Sequence, residues 1–499
     1  MPRAADNPPA IVLGGGIAGL AAARLLTRHY ARVVVLERDT RPDVAEPESA
    51  YGAWQRRGVP QFRHSHAFLA RLRLVLLAHL PEVLDRLRAL GVRELGLAAL
   101  APPGVTLAPE EGDDEVVLLA CRRATFEWVL RECVRARPGV ELHEGVSVAG
   151  LSVAARDGRR PSVTGVRLAD GSVMRAALVV DATGRRSRAP AWLAASGAPL
   201  PLELSADTGT FYYTRFYRRG HGRAPRGTTG LVAGDLGWVK VAIFPGDNAS
   251  FSISVGAPVD DGSLRGLSEP ARFEAFVRAF PAVAPWRARG VSVPIDGPPT
   301  PVLVMGNLRN RLRRFVDREG PLAAGFFAIG DAAYHSNPVY GRGATSAIVQ
   351  AALLDEALGR HPGDVRAAAC FLDLESERQL RPFWEAAVAG DRRTLGEVPS
   401  LKVTDPLAWL AHVAEQAFGW FFDQGLLPAS RVDPVIFRAL MRIFNMLEPP
   451  ERLFTDPGLL VRSLPVLARV LRGDGPPPPF PVVAREAALS QLDQAGARE

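Results

Sequence analysis

The pattern of apolar and polar positions near the start of the chain predicts a strand, a turn and a helix. Residues 11–13 form a short apolar run that meets a cluster of glycines, and apolar residues then recur from 17 to 26 at helical spacing. A second, valine-rich run at 32–36 ends at its first polar residue, Glu37. This order predicts a βαβ unit of the usual size, about 30 residues.

The rest of the chain divides by pattern into five further regions. Strands are predicted at 146–151, 162–168 and 177–180, with a helix at 121–135 before them. Alternating runs at 210–217, 237–244 and 250–255, separated by Gly, Pro and Asp turns, indicate an antiparallel layer. A strand at 326–329 precedes a helix at 343–358, and helical patterns dominate from 370 to 472. A proline run at 476–479 opens a polar tail, which we expect to be disordered.

Composition and charge exclude several classes of protein. The hydrophobic fraction of 47% and charged fraction of 23% are typical of a folded globular chain. The net charge of +7 comes almost entirely from scattered arginines, which indicates a GC-rich genome rather than a nucleic-acid partner. The three cysteines have no metal-ligand spacing, so we expect a reducing cytoplasm and no metal site. The sequence shows no segment with the pattern of a signal peptide or a membrane-spanning helix, so we expect any membrane contact to be peripheral.

The glycine cluster carries the first chemical signal. Gly14, Gly16 and Gly19 form a GxGxxG sequence between the predicted strand and helix. The first glycine permits the tight turn, the second lets a pyrophosphate approach the backbone, and the third brings the helix against the strand. The first helical residues, Ile17 and Ala18, offer backbone N–H donors to the anion, and Glu37 can accept both ribose hydroxyls.

A second block near residue 330 indicates which dinucleotide is bound. Gly330 and Asp331 end a strand and are followed by a Pro/Gly loop at 337–343 and a helix of small residues. A nicotinamide-only domain needs no such returning segment. In a flavin site, an aspartate can bind the ribityl hydroxyls, while the next helix points its N–H groups at the ring edge that gains negative charge on reduction.

In these motifs the chain resembles the FAD-dependent monooxygenases of the para-hydroxybenzoate hydroxylase and squalene epoxidase type. The resemblance covers residues 10–365 and includes, besides the two blocks above, Arg123 at the start of a helix and a variant Asp-Gly stretch at 181–187. Residues 58–66 and 337–341 are similar to bacterial epoxidases that act on polyene chains in polyether antibiotic pathways. The resemblance implies bound FAD, O2 activated as a C4a-hydroperoxide, and an apolar natural-product-like substrate.

The fold implied is an α/β protein with a Rossmann-like FAD-binding domain of the glutathione-reductase type. We expect this discontinuous domain at 8–60, 116–200 and 301–365, and an antiparallel-sheet substrate domain at 61–115 and 201–300. A helical region at 366–474 and a disordered tail at 475–499 would follow. No second GxGxxG lies at a strand-to-helix turn, so NAD(P)H would bind transiently or a separate flavin reductase would supply electrons.

Site residues are assigned partly from their chemistry and partly from the resemblance. The catalytic candidates are Pro338, His64 and His66. Pro338 would fix a rigid loop beside the flavin, and the two histidines would line the pocket as hydrogen-bond donors or proton shuttles. Lys240 and Tyr340 are candidates for substrate contact. The cofactor-binding set is Gly14, Gly16, Ile17, Ala18, Gly19, Glu37, Arg38, Arg123, Asp331, Gly341 and Gly343.

Two other flavin reactions remain open at this stage. Halogenases of this superfamily carry WxWxIP and an active-site lysine, but Lys240 and Ala242 occupy the two aromatic positions before Pro245. Halogenation is therefore less favoured, and a flavin-dependent reductase or dehydrogenase of a polyketide or isoprenoid is the main alternative. In the C-terminal third, leucines at 459, 460, 464, 467 and 471 form a helical stripe, for which core packing is favoured over membrane docking.

Overall fold

A computed structural model describes residues 8–103, 105–156, 159–220, 231–295, 301–396, 406–478 and 480–496. The strands in the described ranges are β1 Ala10–Leu13, β2 Val33–Glu37, β3 Arg93–Gly96, β4 Val117–Ala120, β5 Val140–Glu144, β6 Val148–Arg156, β7 Arg159–Leu168, β8 Val173–Arg175, β9 Leu178–Asp181, β10 Leu202–Asp207, β11 Thr210–Arg219, β12 Val232–Asp235, β13 Lys240–Pro245, β14 Ser250–Pro258, β15 Ser292–Pro294, β16 Leu303–Met305, β17 Arg309–Arg314, β18 Val316–Asp317, β19 Gly320–Pro321, β20 Phe326–Ala328 and β21 Tyr334–His335.

The α-helices are α1 Ile17–Leu26, α2 Pro47–Ala53, α3 Ala70–His79, α4 Pro81–Ala89, α5 Leu97–Leu100, α6 Arg123–Arg135, α7 Ala189–Ala195, α8 Pro270–Arg278, α9 Gly343–Arg360, α10 Val365–Leu395, α11 Pro406–Phe421, α12 Leu427–Ala429, α13 Pro434–Phe444, α14 Arg452–Thr455, α15 Pro457–Leu471 and α16 Arg485–Gly496. Short 3₁₀ turns include Gly184–Arg186, Gly330–Ala332 and Pro338–Tyr340. Among the described residues, none of these helices is both long and apolar enough to cross a membrane.

The chain folds into two compact units, and the first comprises residues 1–92, 121–208 and 308–388. Its central sheet has the order β20-β9-β1-β2-β5, and every neighbouring pair is parallel. Strands β1, β2 and β9 are buried along their whole length, which explains their uninterrupted apolar runs. Helix α1 packs against α9 and α6. The predicted βαβ unit and α/β fold are confirmed.

The second unit comprises residues 93–120, 209–307 and 389–499. Its main sheet has the order β12-β13-β14-β11-β15, with β16 also paired to β11, and all pairs are antiparallel. Alternate residues such as Val241 and Ile243 face a core built with α8. A separate apolar cluster forms among the C-terminal helices, including Ile436 and Leu440 of α13 and Leu459 of α15. The antiparallel layer and the helical C-terminal region were both predicted.

The tail expected to be disordered is instead a structural part of the second unit. Phe480, Ala488 and Leu492 are almost fully buried in the same core as the antiparallel sheet. Arg485 also forms an ion pair with Asp261 at 2.9 Å. The prediction for 475–499 was wrong for 480–496, because apolar residues spaced along α16 supply a packing face that the preceding proline run obscured.

Two expected domain boundaries also differ from the observed units. Residues 61–92, assigned to the substrate domain, lie in the first unit, where α3 packs on α9 and α4 on α6. Leu72 and Leu84 are fully buried there. Residues 366–388, assigned to the C-terminal region, also belong to the first unit, and the Trp384 indole donates to the His335 carbonyl at 3.2 Å.

Candidate cofactor site

The sequence motifs of the first unit meet at one edge of its parallel sheet. Strands β1, β2, β9 and β20 run in the same direction and end at Leu13, Glu37, Asp181 and Ala328. In register, Leu13 pairs with Leu36 on one side and Asp181 on the other. The turns that follow therefore emerge together at the carboxyl edge, where open α/β sheets bind their ligands.

The glycine turn has one open position between two tightly packed ones. A Cβ atom at Gly14 would lie 2.6 Å from the Ala182 carbonyl oxygen, and one at Gly19 only 1.9 Å from the Gly14 oxygen. At Gly16 the added atom would meet nothing within 4 Å. Gly16 is the N-cap of α1 and has no side-chain capping bond. An open space thus lies at the helix end where first-turn amides lack intrahelical acceptors.

Glu37 is held in place at the end of β2. Its carboxylate accepts hydrogen bonds from the backbone N–H of Gly15 and of Asp39, both at 2.9 Å. Arg56 lies 2.9 Å from the same carboxylate. Burial raises the pKa of Glu37, but Arg56 and the N–H donors outweigh burial, so the net pKa is lowered. Glu37 is therefore ionised and oriented beside the glycine turn.

A buried network of charges surrounds this carboxylate. The side chains of Arg56, Glu127 and Arg131 are completely buried, and Arg56 lies 2.8 Å from Glu127. Both arginines donate to the carbonyl oxygen of Gly15, at 3.2 and 2.8 Å. Both guanidinium groups also lie over the Trp54 ring at 5.1 Å. The network therefore holds the glycine turn in place through the Gly15 carbonyl.

Sequence reasoning missed this network. One signal was available, because Arg123, Glu127 and Arg131 are spaced by four and share a face of α6. Of the three, only Arg123 was named as a site residue. Arg56 had no comparable signal, since it precedes another arginine in a stretch without clear periodicity. Tertiary contacts alone decide that Arg56 is buried and paired while Arg57 is exposed.

The second sequence block, Gly330 and Asp331, is called the late motif below, and it packs against the helix that follows the glycine turn. A Cβ atom at Gly330 would lie 2.8 Å from the Cβ of Ala18, so this turn is packed directly on the start of α1. The Gly330 N–H donates to the Gln350 side chain of α9 at 2.7 Å. Asp331 follows in the same 3₁₀ turn, and its carboxylate is near Gly343, the first residue of α9. Two helix N-termini and one carboxylate thus border the same region.

His64 and His66 lie close to Arg123 within the first unit. The Arg123 guanidinium is 3.2 Å from His66 Nε2 and 3.2 Å from Glu127. His66 Nδ1 lies 2.9 Å from the His64 carbonyl oxygen, so this nitrogen carries the proton and Nε2 accepts. Burial, and then Arg123, lower the pKa of His66 to about 3, and burial with Arg185 lowers that of His64 to about 4. Both rings are neutral, which favours pocket lining over proton transfer.

The loop after the late motif is rigidly built. Asn337 accepts a hydrogen bond from the Val339 N–H, and Pro338 begins a 3₁₀ turn. Gly341 has a positive φ of 66°, which favours glycine, and lies against Ala67. The Tyr340 hydroxyl donates to the Ala387 carbonyl at 3.3 Å. The structure therefore brings Gly341, in the 337–341 segment named by the resemblance, against Ala67, which directly follows the 58–66 segment.

Two further predicted residues, Arg38 and Lys240, have other partners in the described part of the chain. Arg38 has a side chain that is 55% exposed and faces Asp39 rather than the buried network. Lys240 belongs to the second unit, on the sheet face opposite the core residues Val241 and Ile243. Its ammonium forms an ion pair with Asp235, its cross-strand neighbour, at 2.5 Å. Their roles as cofactor and substrate contacts remain predictions.

The geometry fits a dinucleotide with two separated halves. The open position at Gly16 and the first-turn amides suit a pyrophosphate, and Glu37 lies on the side of the ribose. Asp331 and the start of α9 lie on the other side of α1's first turn, where a flavin's ribityl chain and ring would extend. These described residues could therefore hold both halves of a dinucleotide such as FAD.

Comparison with known proteins supports the fold and the nucleotide site. Residues 12–67 match the NAD(P)-binding Rossmann-like domain, a range that includes the end of β1, the glycine turn, α1 and β2. Over 488 residues the chain is 27% identical to Protein Rv3254 of Mycobacterium tuberculosis, covering 93% of each chain. The sequence similarity to this relative therefore extends through both units.

Solved structures share the same architecture. One is PqsL, a probable FAD-dependent monooxygenase from Pseudomonas aeruginosa, with a TM-score of 0.52 and 17% identity over 78% of this chain and 99% of that one. Another is the myxobacterial chondrochloren halogenase CndH, a variant FAD-dependent halogenase, with a TM-score of 0.55 and 16% identity over 88% and 96%. The fold is therefore that of FAD-dependent monooxygenases and halogenases.

Proposed function

We propose that the chain is an FAD-dependent monooxygenase that epoxidises or hydroxylates an apolar, natural-product-like molecule. The observation that carries the proposal is the contact between Gly330 and Ala18, which places the late motif on the glycine turn. A nicotinamide-only site has no use for this returning segment. Bound FAD, once reduced, supplies the chemistry of O2 activation and oxygen transfer.

The residues of the chain have distinct roles in this proposal. The turn at Gly16 and the amides of α1 bind the pyrophosphate, and Glu37 binds the adenosine ribose. Arg56 and Arg131 act through the Gly15 carbonyl and are positioning residues. Asp331 binds the ribityl chain, while the N-terminus of α9 stabilises negative charge at the ring.

The neutral histidines support an apolar, water-poor environment for the reaction. His66 accepts from Arg123 and donates to the His64 carbonyl, so it orients the arginine without carrying charge. Pro338 and Gly341 hold the loop that would border the reactive edge of the ring. Electrons would come from NAD(P)H or from a separate flavin reductase.

Halogenation is the second candidate, because FAD-dependent halogenases share the fold. It requires an amine near the substrate that can accept and relay the halogenating species. Lys240 is instead paired with Asp235 and lies 3.4 Å from the Thr394 hydroxyl. This pairing favours a role for Lys240 as a charged group that anchors a ligand or orders the sheet face, rather than as a free reactive amine.

The deciding experiment measures cofactor and oxygen together. We expect the purified protein to be yellow and to release FAD on denaturation. Supplied with NAD(P)H or a flavin reductase, 18O2 and a series of linear polyenes, it should add one labelled oxygen atom without any halide requirement. Release of FMN or NAD alone would refute the FAD site. A halide-dependent product, or product without labelled oxygen, would refute the monooxygenase assignment while leaving the site intact.

A further inference from the structure

Helix α15 has apolar side chains on two opposite faces. One face is buried in the C-terminal helical cluster and includes Leu459, Ser463 and Val466. The opposite face points to solvent, with Val461, Leu464 and Leu471 exposed by 64%, 50% and 64%. The outward apolar residues recur at helical spacing and form a continuous stripe at positions 457, 461, 464, 465, 468 and 471.

The stripe is longer than scattered exposed residues would produce, and another exposed apolar residue lies next to it in the chain. Helix α15 has 15 residues and is about 22 Å long, and the stripe follows it from end to end. Phe454 of the preceding helix α14 is 48% exposed. Single exposed apolar side chains are ordinary, but a contiguous stripe of this kind marks an interaction surface.

One edge of the stripe is basic. Arg462, Arg469 and Arg472 are exposed and follow the same side of α15, which itself contains no acidic residue. Arg462 is paired with Asp433 at 3.2 Å. Arg469 donates to the carbonyl oxygen of Asp474, and within the described ranges no carboxylate forms an ion pair with its guanidinium group. Positive charge therefore remains beside the carboxyl half of the stripe.

We propose that the outer face of α15 docks on the surface of an anionic lipid bilayer. An apolar stripe with a basic edge is the arrangement that lies in a membrane interface, with the stripe at the acyl boundary and the arginines at headgroup phosphates. A second copy of α15 would meet this edge with arginine and no carboxylate. The proposal does not depend on the flavin chemistry and describes attachment to one leaflet.

The test is flotation of the purified full-length protein with lipid vesicles. Vesicles of phosphatidylcholine with about one-third phosphatidylglycerol should carry the protein, and vesicles of phosphatidylcholine alone should carry much less. Raising the salt concentration well above 0.1 M should weaken binding, because screening acts on the arginine contribution. The variant R469Q/R472Q should lose about fivefold in partitioning for each arginine.

The apolar contribution is tested with a matched pair of variants. L464S/L471S changes two outward leucines and should reduce partitioning more than about tenfold. L200S/L202S changes two leucines that are 71% and 54% exposed in the first unit and should bind as the unaltered protein does. Unchanged melting temperatures would show that both variants fold.

Three results would overturn the proposal. One is the absence of flotation with anionic vesicles. Another is equal binding to neutral and anionic vesicles, which would show that the arginine edge plays no part. The third is self-association in sedimentation that L464S/L471S abolishes, because the stripe would then belong to a contact between copies of the chain.

Discussion

The two main sheets bury their side chains in different ways. The parallel sheet of the first unit has buried strands, and its candidate site lies at the carboxyl edge, where Glu37 ends β2 and Gly14 and Ile329 directly follow β1 and β20. The antiparallel sheet of the second unit packs a largely apolar face against its core, although Arg215 also lies on that face and pairs with Glu274 of α8 at 3.1 Å. Its other face carries small and polar side chains such as Thr214 and Ser254, whose hydroxyls lie 2.7 Å apart.

The difference shows how each unit contributes to function. In the first unit, strand order fixes where the motifs meet, so the site depends on backbone geometry and on a few glycines. In the second unit, the backbone pattern is generic, and both faces of the antiparallel sheet carry buried side chains, so its stability depends on side-chain packing. Substitutions at the parallel edge should therefore affect cofactor retention, while those in the antiparallel sheet should affect stability.

The largest effect is expected at the glycine turn. Gly16→Val fills the open space at the N-terminus of α1 and should abolish FAD retention, while the apoprotein keeps its fold because the new side chain meets no protein atom at Cβ. Gly19→Val should prevent folding, since its Cβ lies 1.9 Å from the Gly14 oxygen. Absorbance of bound flavin and circular dichroism separate the two. A Gly16→Val protein with stoichiometric FAD would contradict the site.

A smaller but still large effect is expected from the buried charges. Arg56→Gln removes the buried counterion of Glu37 and one of the two arginines that pair with Glu127, and should cost about 3–5 kcal/mol of unfolding free energy. Arg32→Gln, which breaks an exposed ion pair with Glu141, should cost less than about 1 kcal/mol. Urea denaturation measures both. Equal effects would show that the Arg56 network does not stabilise the glycine turn.

The stability of the second unit should depend on its C-terminal helix, α16, because that helix packs into the core. Leu492→Ala removes a buried side chain of α16 and should cost about 2–5 kcal/mol. Val482→Ala, at a residue that is 74% exposed, should change stability by less than about 0.5 kcal/mol. Thermal unfolding compares them. If Leu492→Ala left the unfolding temperature unchanged, residues 480–496 would be a dispensable tail rather than part of the core.

The two histidines predict a pH dependence confined to the first unit. Their pKa values of about 4 and about 3 lie below the unfolded value of about 6.5, so the unfolded chain takes up protons first as pH falls. The contribution of the histidines to stability is present above about pH 6.5 and should be lost as the pH falls towards about 4 for His64 and about 3 for His66, by up to about 1.4 kcal/mol per pH unit for each. His66→Gln should reduce this slope in urea titrations. An unchanged slope would contradict the buried neutral ring.

The smallest effect on stability is expected at Lys240. Its partly exposed ion pair with Asp235 should contribute less than about 1 kcal/mol, so Lys240→Ala and Lys240→Arg should both fold. If Lys240 anchors an anionic group of the substrate, turnover should survive Lys240→Arg better than Lys240→Ala, because arginine keeps the charge. Equal loss of a halide-dependent product in both variants would instead favour a reactive amine.

The sequence by itself determined the βαβ unit, the glycine turn and the order of the flavin motifs. These features are local: a strand, a turn and a helix are encoded within about 30 residues, and Gly14, Gly16 and Gly19 have roles set by backbone geometry. The parallel sheet followed from the order of strands and helices. The existence of the antiparallel layer followed from alternation.

Tertiary structure alone decided which charges are buried and which ends are folded. Arg56 and Arg131 look like any other arginine in a chain rich in them, and only contacts with residues far along the sequence bury them behind the Gly15 carbonyl. The helix at 485–496 is short and follows a proline run, so its order depends on the core it joins. The two faces of α15 became distinguishable only when α13 covered one of them, because both are apolar in sequence.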